Sequence, residues 1–243
     1  MNALIIACQM ISDELNLAIS RTGVDYPVIW IESRFHEHPD RLRGRLQDEI
    51  SRISNVRHII LAFGYCGNAL LGLKAEDAFL IIPRVDDCIS LLLGSQATQR
   101  RLSSELATYC LTRGWLEYEN GVLSELERNI NRYGQDRAYE ISRAMLEHYS
   151  RLILIDTGAY NIDAFLEKVQ RLAGILGIVY EIVPGSGELL NKLLCGPWDE
   201  DFSIIPQGGT VTTEHLWAQR GRSSKYAEQS RGCLYSLPGH CRA

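Results

Sequence analysis

Three cysteines are the residues best suited to carry chemistry in this chain. Cys8 follows the apolar run Ala3-Leu4-Ile5-Ile6-Ala7, Cys66 follows His58-Ile59-Ile60-Leu61-Ala62-Phe63, and Cys88 comes shortly after Phe79-Leu80-Ile81-Ile82-Pro83. None belongs to a C-x-x-C knuckle of the kind that builds structural zinc sites, so only folding can gather them. Gathered, three thiolates would hold one face of a metal centre and leave one position open. Zinc would then activate a bound thiol or water, whereas a [4Fe-4S] cluster would offer its free iron as a Lewis acid. The competing reading makes each cysteine a small buried hydrophobe.

Polar residues flank the same places. Arg84, Asp86 and Asp87 precede Cys88 directly after an apolar run, where Arg can clamp a carboxylate or phosphate and an aspartate can accept a proton. A salt bridge with a helix cap explains them equally well. His36, with His38, falls in a loop that could reach the same edge and serve as acid or base, though loop histidines are commonly just solvated. Gly64 and Gly67 bracket Cys66 and, with Asn68, permit the tight backbone path that a bound group needs. Ser186, in Pro184-Gly185-Ser186-Gly187-Glu188, stands before a helix start and suits an anion. There is no G-x-G-x-x-G and no G-x-x-x-x-G-K-[ST], so neither standard nucleotide loop is indicated. Cys110 is a fourth candidate thiol kept outside the set, and Cys195, Cys233 and Cys241 read as free thiols.

The elements that must position these residues follow an alternating pulse. Apolar runs at 3–7, 26–31, 58–62, 79–83, 107–112, 151–156, 178–183 and 202–206 read as strands, several without the alternation of a half-exposed sheet. Helical spacing covers 11–21 with Ser12 as cap, 39–53 opening on Pro39, the apolar 86–94, 163–176 and 189–194, with two charged helices over 115–150 broken near Gly134. The pattern predicts an α/β fold, a mostly parallel sheet with helices on both faces and a helical excursion in the middle. Residues 1–218 are expected to form a single domain in two lobes, about 1–112 and 151–218, joined by 113–150. Residues 219–243 lack periodicity and read as a poorly ordered tail.

Composition bounds the rest. With 243 residues, 46% hydrophobic and 23% charged, the chain has ample core for a globular fold. A net charge of -5 provides no basic field, which argues against nucleic acid as a partner and leaves a small-molecule substrate. No apolar run approaches the roughly 18 residues of a membrane span, and Met1-Asn2-Ala3-Leu4 leads straight into a strand, so a cytoplasmic protein is expected. Seven cysteines, an odd count spread along the chain, favour reduced thiols over a disulfide framework.

Taken together, Ile5-Ile6-Ala7-Cys8, Phe63-Gly64-Tyr65-Cys66-Gly67-Asn68, the segment 82–95, Tyr109-Cys110-Leu111-Thr112-Arg113-Gly114-Trp115 and Trp198-Asp199-Glu200-Asp201-Phe202 resemble a prokaryotic family. It is a domain of unknown function often encoded beside corrinoid-dependent methyltransferases, and the likeness extends to about Thr212. The resemblance implies that cysteines at positions 8, 66 and 88 belong to the family pattern. It also implies methyl-group or one-carbon metabolism, with a corrinoid methyltransferase as partner. Cys110 departs from the pattern, which has an aromatic or apolar residue there. An accessory protein carrying a metal or ligand for such a methyltransferase is the alternative to an enzyme. The D-x-H-x-x-G motif that would ligate the corrinoid itself is absent.

Overall fold

The computed structural model describes residues 3–35, 38–118 and 121–217. In chain order the elements are β1 (Ala3–Cys8), α1 (Ser12–Thr22), β2 (Val28–Ile31), α2 (Pro39–Arg52), β3 (His58–Ala62), β4 (Phe79–Pro83), α3 (Cys88–Leu92), α4 (Gln96–Glu105), β5 (Thr108–Leu111), α5 (Arg113–Glu117), α6 (Val122–Tyr133), α7 (Gln135–Met145), β6 (Arg151–Asp156), α8 (Asp163–Leu176), β7 (Val179–Pro184), α9 (Glu188–Cys195), β8 (Phe202–Ile205) and α10 (Thr213–Trp217). The protein is α/β, as its alternating pattern predicts.

Two sheets carry the fold. The first has the order β2-β1-β3-β4-β8, parallel except for β8, which runs antiparallel to β4. The second is parallel throughout, in the order β5-β6-β7. The sheets do not follow the sequence halves: β5 joins the later strands, and β8 returns to the first sheet. Residues 219–243, expected to be a poorly ordered tail, lie outside the described residues, as does His36.

Local sequence explains most elements. The apolar stripe Leu42, Leu46 and Ile50 buries one face of α2, and Pro39 opens it in the first turn, where its missing N–H is not needed. In the second sheet, Leu152 and Leu154 of β6 pack against Phe165, Val169 and Leu172 of α8. The five residues of α3 are all buried because the helix lies between the sheets. Leu91 and Leu92 join the core of the first sheet, while Ile89 meets Ile153 and Ile155 of the second. Its apolar composition is that of a bridge.

Several expectations are corrected. β2 is only half-buried rather than covered on both faces, because it is an edge strand. Ser12 does not cap α1; Ile11 occupies that position, and the Ser12 hydroxyl bonds Tyr118 instead. α4 carried no apolar stripe strong enough to announce it, yet Ser95 caps it, accepting a hydrogen bond from the Thr98 N–H at 3.1 Å. Cys195 is disulfide-bonded rather than a free thiol. Cys233 and Cys241 lie outside the described residues.

A buried acid also links the first helix to the loop after β6. Glu14 on α1 is only 5% exposed and accepts a hydrogen bond from the Thr157 hydroxyl, just past β6, at 3.1 Å. Burial raises its carboxyl from 4.5 to about 7, against the opposing pull of hydrogen bonds and of Arg113. The folded protein therefore holds this proton more tightly than the unfolded chain. The resulting stabilisation is complete below pH 4.5 and is lost as pH rises to about 7. Glu14→Gln keeps the acceptor and removes the titration. Measured by chemical denaturation, the variant should match the wild type near pH 4.5 and exceed it above pH 7 by up to about 3 kcal/mol; a difference independent of pH would refute this.

Candidate functional site

The order of the first sheet decides where a site belongs. β2 lies on one side of β1 and β3 on the other, so the connection after β1 runs to one side, that after β3 to the other, and a crevice opens at their carboxyl ends. In open α/β sheets this crevice is the usual ligand position. Cys8 is the last residue of β1, Cys66 follows β3 and Cys88 begins α3 beyond β4. Three adjacent strands therefore deliver the three thiols to one edge.

All three are buried. The sulfurs of Cys66 and Cys88 stand 4.0 Å apart. Cys88 is also the neighbour that most raises Cys8, so Cys88 is the hub, although the strand leading to Cys66 is the central one of the three. The Cys88 contact, and then burial, raise both the Cys8 and Cys66 thiols well above the ordinary range. The Cys8 and Cys66 thiols are thus held protonated and neutral unless a cation displaces their protons. No three of the described His, Cys, Asp and Glu side chains form a metal-ligating group; the sulfurs of Cys66 and Cys88 are arranged for contact with one another.

Backbone geometry creates this contact. Tyr65 N–H donates to the Val85 carbonyl at 2.9 Å and Cys66 N–H to the Asp86 carbonyl at 3.0 Å, so the loops after β3 and β4 run side by side. Gly64 makes that possible: a Cβ there would lie 2.3 Å from the Asp87 carbonyl carbon. The chain then turns through three left-handed residues, Cys66 at φ 45°, Gly67 at 65° and Asn68 at 68°. Glycine and asparagine adopt this conformation readily, but cysteine does so at a cost of about 1–2 kcal/mol. Strain of this kind concentrates at functional sites. No sequence signal announced it beyond the neighbouring Gly67-Asn68.

The polar candidates divide. Asp87 caps α3, its Oδ1 accepting from both the N–H and the hydroxyl of Ser90 at 2.7 Å, and burial raises its carboxyl above the usual range. Its negative charge also helps to raise Cys66, so it belongs to the thiol environment. Asp86 contributes its carbonyl to Cys66 but turns its carboxylate to Arg100 at 3.4 Å. Arg84 donates through Nε to the Ser203 hydroxyl at 3.0 Å and, with Ser95, Gln96 and Asp201, lines a cleft of about 100 Å³. Asn68 is exposed, and its carbonyl accepts from Arg43 at 3.1 Å. Ser186 lines a different and very small pocket, of about 10 Å³, with Glu14, Arg21, Thr157 and Asn191; none of the three thiols lines it. Cys110 sits within β5, where burial raises it to about 11.

Fold and site thus define an α/β protein with a buried thiol cluster at the topological switch of its parallel sheet. The chain belongs to the family described as "Protein of unknown function (DUF1638)", whose pattern matches residues 30–194. The match includes Cys66 and Cys88 and begins after Cys8. Searches of the curated proteins and of the solved structures each found no match.

Two substitutions test the backbone geometry by equilibrium unfolding. Cys66→Gly should be more stable than Cys66→Ala by about 1 kcal/mol, because only glycine relieves the left-handed strain. Gly64→Ala should destabilise by about 3 kcal/mol, since its Cβ meets backbone rather than a movable side chain. An alanine equal to glycine at position 66 would remove the strain from consideration.

Proposed function

We propose that Cys8, Cys66 and Cys88 bind one thiophilic metal as thiolates and that the site acts on a small polar substrate beside them. The observation that carries this reading is the convergence of three thiols from three adjacent strands, with Cys66 and Cys88 4.0 Å apart. A tetrahedral ion with Zn–S distances of about 2.3 Å would place its sulfurs about 3.8 Å apart, close to the 4.0 Å between Cys66 and Cys88. In a [4Fe-4S] cluster each thiolate ligates a different iron and points away from the others, which requires a wider spread. Zinc is therefore the first choice and the cluster the second.

When bound, zinc would supply Lewis-acid activation of a thiol or water at its open position. The chain supplies the rest. Asp87, held rigid by Ser90, sets the negative potential around Cys66 and Cys88 and can take up a proton released from them. The left-handed turn at Gly67-Asn68 leaves both residues exposed beside buried Cys66, providing the approach for substrate. Asp86 fixes the loop through its carbonyl. Arg84, with the adjoining cleft, provides a positive charge for an anionic substrate group, and His36 is the acid or base that the site would draw on. The resemblance to a family encoded beside corrinoid-dependent methyltransferases makes methyl-group transfer the first reaction to assay.

The test is elemental analysis and anaerobic absorption spectra of the purified protein, with Cys66→Ser and Cys88→Ser beside it. Near-stoichiometric zinc and a colourless wild type are expected, with occupancy lost at least tenfold in both variants. Stoichiometric iron and a brown colour would instead assign the cluster. Because binding must expel thiol protons, zinc affinity should fall steeply as pH is lowered. Absence of both metals, or metal content indifferent to these cysteines, would overturn the proposal.

A further inference from the structure

Beyond β4 the chain still needs hydrogen-bond partners on the side facing β8. Arg84 N–H finds one in the Asp201 carbonyl at 2.8 Å. Alternation brings Asp86 N–H to that side next, opposite Asp199, but the Asp199 carbonyl is turned back to Phe202 N–H at 3.1 Å. Gln96, the first residue of α4, takes its place: Oε1 accepts from Asp86 N–H at 2.7 Å. On the opposite side the Asp86 carbonyl accepts from Cys66 N–H at 3.0 Å. The Asp86 main chain is thus gripped between a glutamine and the strained thiol turn.

Gln96 is only 6% exposed, and a side-chain amide is kept at that depth when its polar atoms are paired. Its Nε2 donates to Gln99 Oε1 at 3.2 Å, which orients the amide so that the oxygen faces Asp86. We infer that Gln96 is a positioning residue for the thiol cluster: through the Asp86 main chain it sets where Cys66 stands against Cys88, and so how tightly the site holds zinc. The zinc half of this rests on the metal reading above. Cys66, at φ 45°, has an easier conformation to relax into, and its N–H bond to Asp86 opposes that relaxation. Cys88 lies two residues beyond Asp86, so movement of this main chain displaces both sulfurs. Groups that orient metal ligands without touching the metal typically change its affinity about 10–100-fold.

Gln96→Met keeps the side-chain length and removes the acceptor, whereas Gln96→Glu restores an acceptor oxygen. In metal-free protein, hydrogen exchange at the Cys66 and Asp86 amides should speed about tenfold in Gln96→Met and stay near the wild type in Gln96→Glu. Zinc affinity, measured by competition with a chromophoric chelator, should fall at least about tenfold in the first and hold in the second. Val169→Ala, in the core of the second sheet, should lower the thermal midpoint without moving either readout. If Gln96→Met does not fold, Gln96→Ser, whose hydroxyl is too short to reach Asp86, replaces it. The inference fails if losing the acceptor leaves Cys66 exchange unchanged, if Gln96→Glu behaves like Gln96→Met, or if Val169→Ala moves the readouts equally. Zinc bound equally well by wild type and Gln96→Met would also sink it. A wild type that binds no zinc overturns the metal reading instead, and amide exchange in the metal-free protein still decides the role of Gln96.

Discussion

The close passage of Gly64 against the backbone of Asp87 is the constraint on which the site depends. A side chain at position 64 would occupy the space of the Asp87 main chain. Without one, the loops after β3 and β4 lie close enough for Tyr65 and Cys66 to donate to Val85 and Asp86. Those two hydrogen bonds extend the parallel pairing of the strands past their ends and fix the positions from which Cys66 and Cys88 project. The sulfur contact is therefore a consequence of backbone packing and needs no attraction between the thiols.

Burial and chemistry pull against each other here. Low polarity and mutual contact favour neutral thiols, as the raised Cys8 and Cys66 show. Held protonated, Cys8 and Cys66 are inert as nucleophiles, because the thiolate is the reactive form. A soft cation reverses this preference by exchanging protons for coordination. The same environment that disfavours a plain cysteine nucleophile is thus compatible with a metal centre. The left-handed Cys66 is consistent with a position selected for where it puts its sulfur rather than for backbone ease.

The second sheet reaches the site through α3. This helix starts at Cys88, is capped by Asp87, and buries opposite sides against the two sheets. Ser186 N–H adds a bond to the Leu92 carbonyl at its far end, 2.8 Å long. Buried Arg151 organises the other end of the second sheet, donating to Thr108, to the Leu102 carbonyl and to Glu181. A disturbance of either sheet is therefore transmitted to the hub thiol through a short rigid element.

The sequence by itself determined the alternating α/β plan, most strand positions, the helix starts at Pro39 and Asp87, and the placement of Cys8, Cys66 and Cys88 beyond apolar runs. These are local properties: periodicity, chain stiffness and hydrogen bonding within a few residues. Tertiary structure decided which strands are neighbours, so β5 left the first sheet, β8 returned to it, and Ile81 came to pair with Ile204. It also decided that Cys88 rather than Cys66 is the hub, that Ser186 serves a different cleft, and that Glu14 holds its proton to about pH 7. Each of these depends on contacts between residues far apart in the chain, which no local pattern records. The left-handed turn at Cys66 belongs with them, because the packing of Gly64 on Asp87 leaves that backbone no easier path.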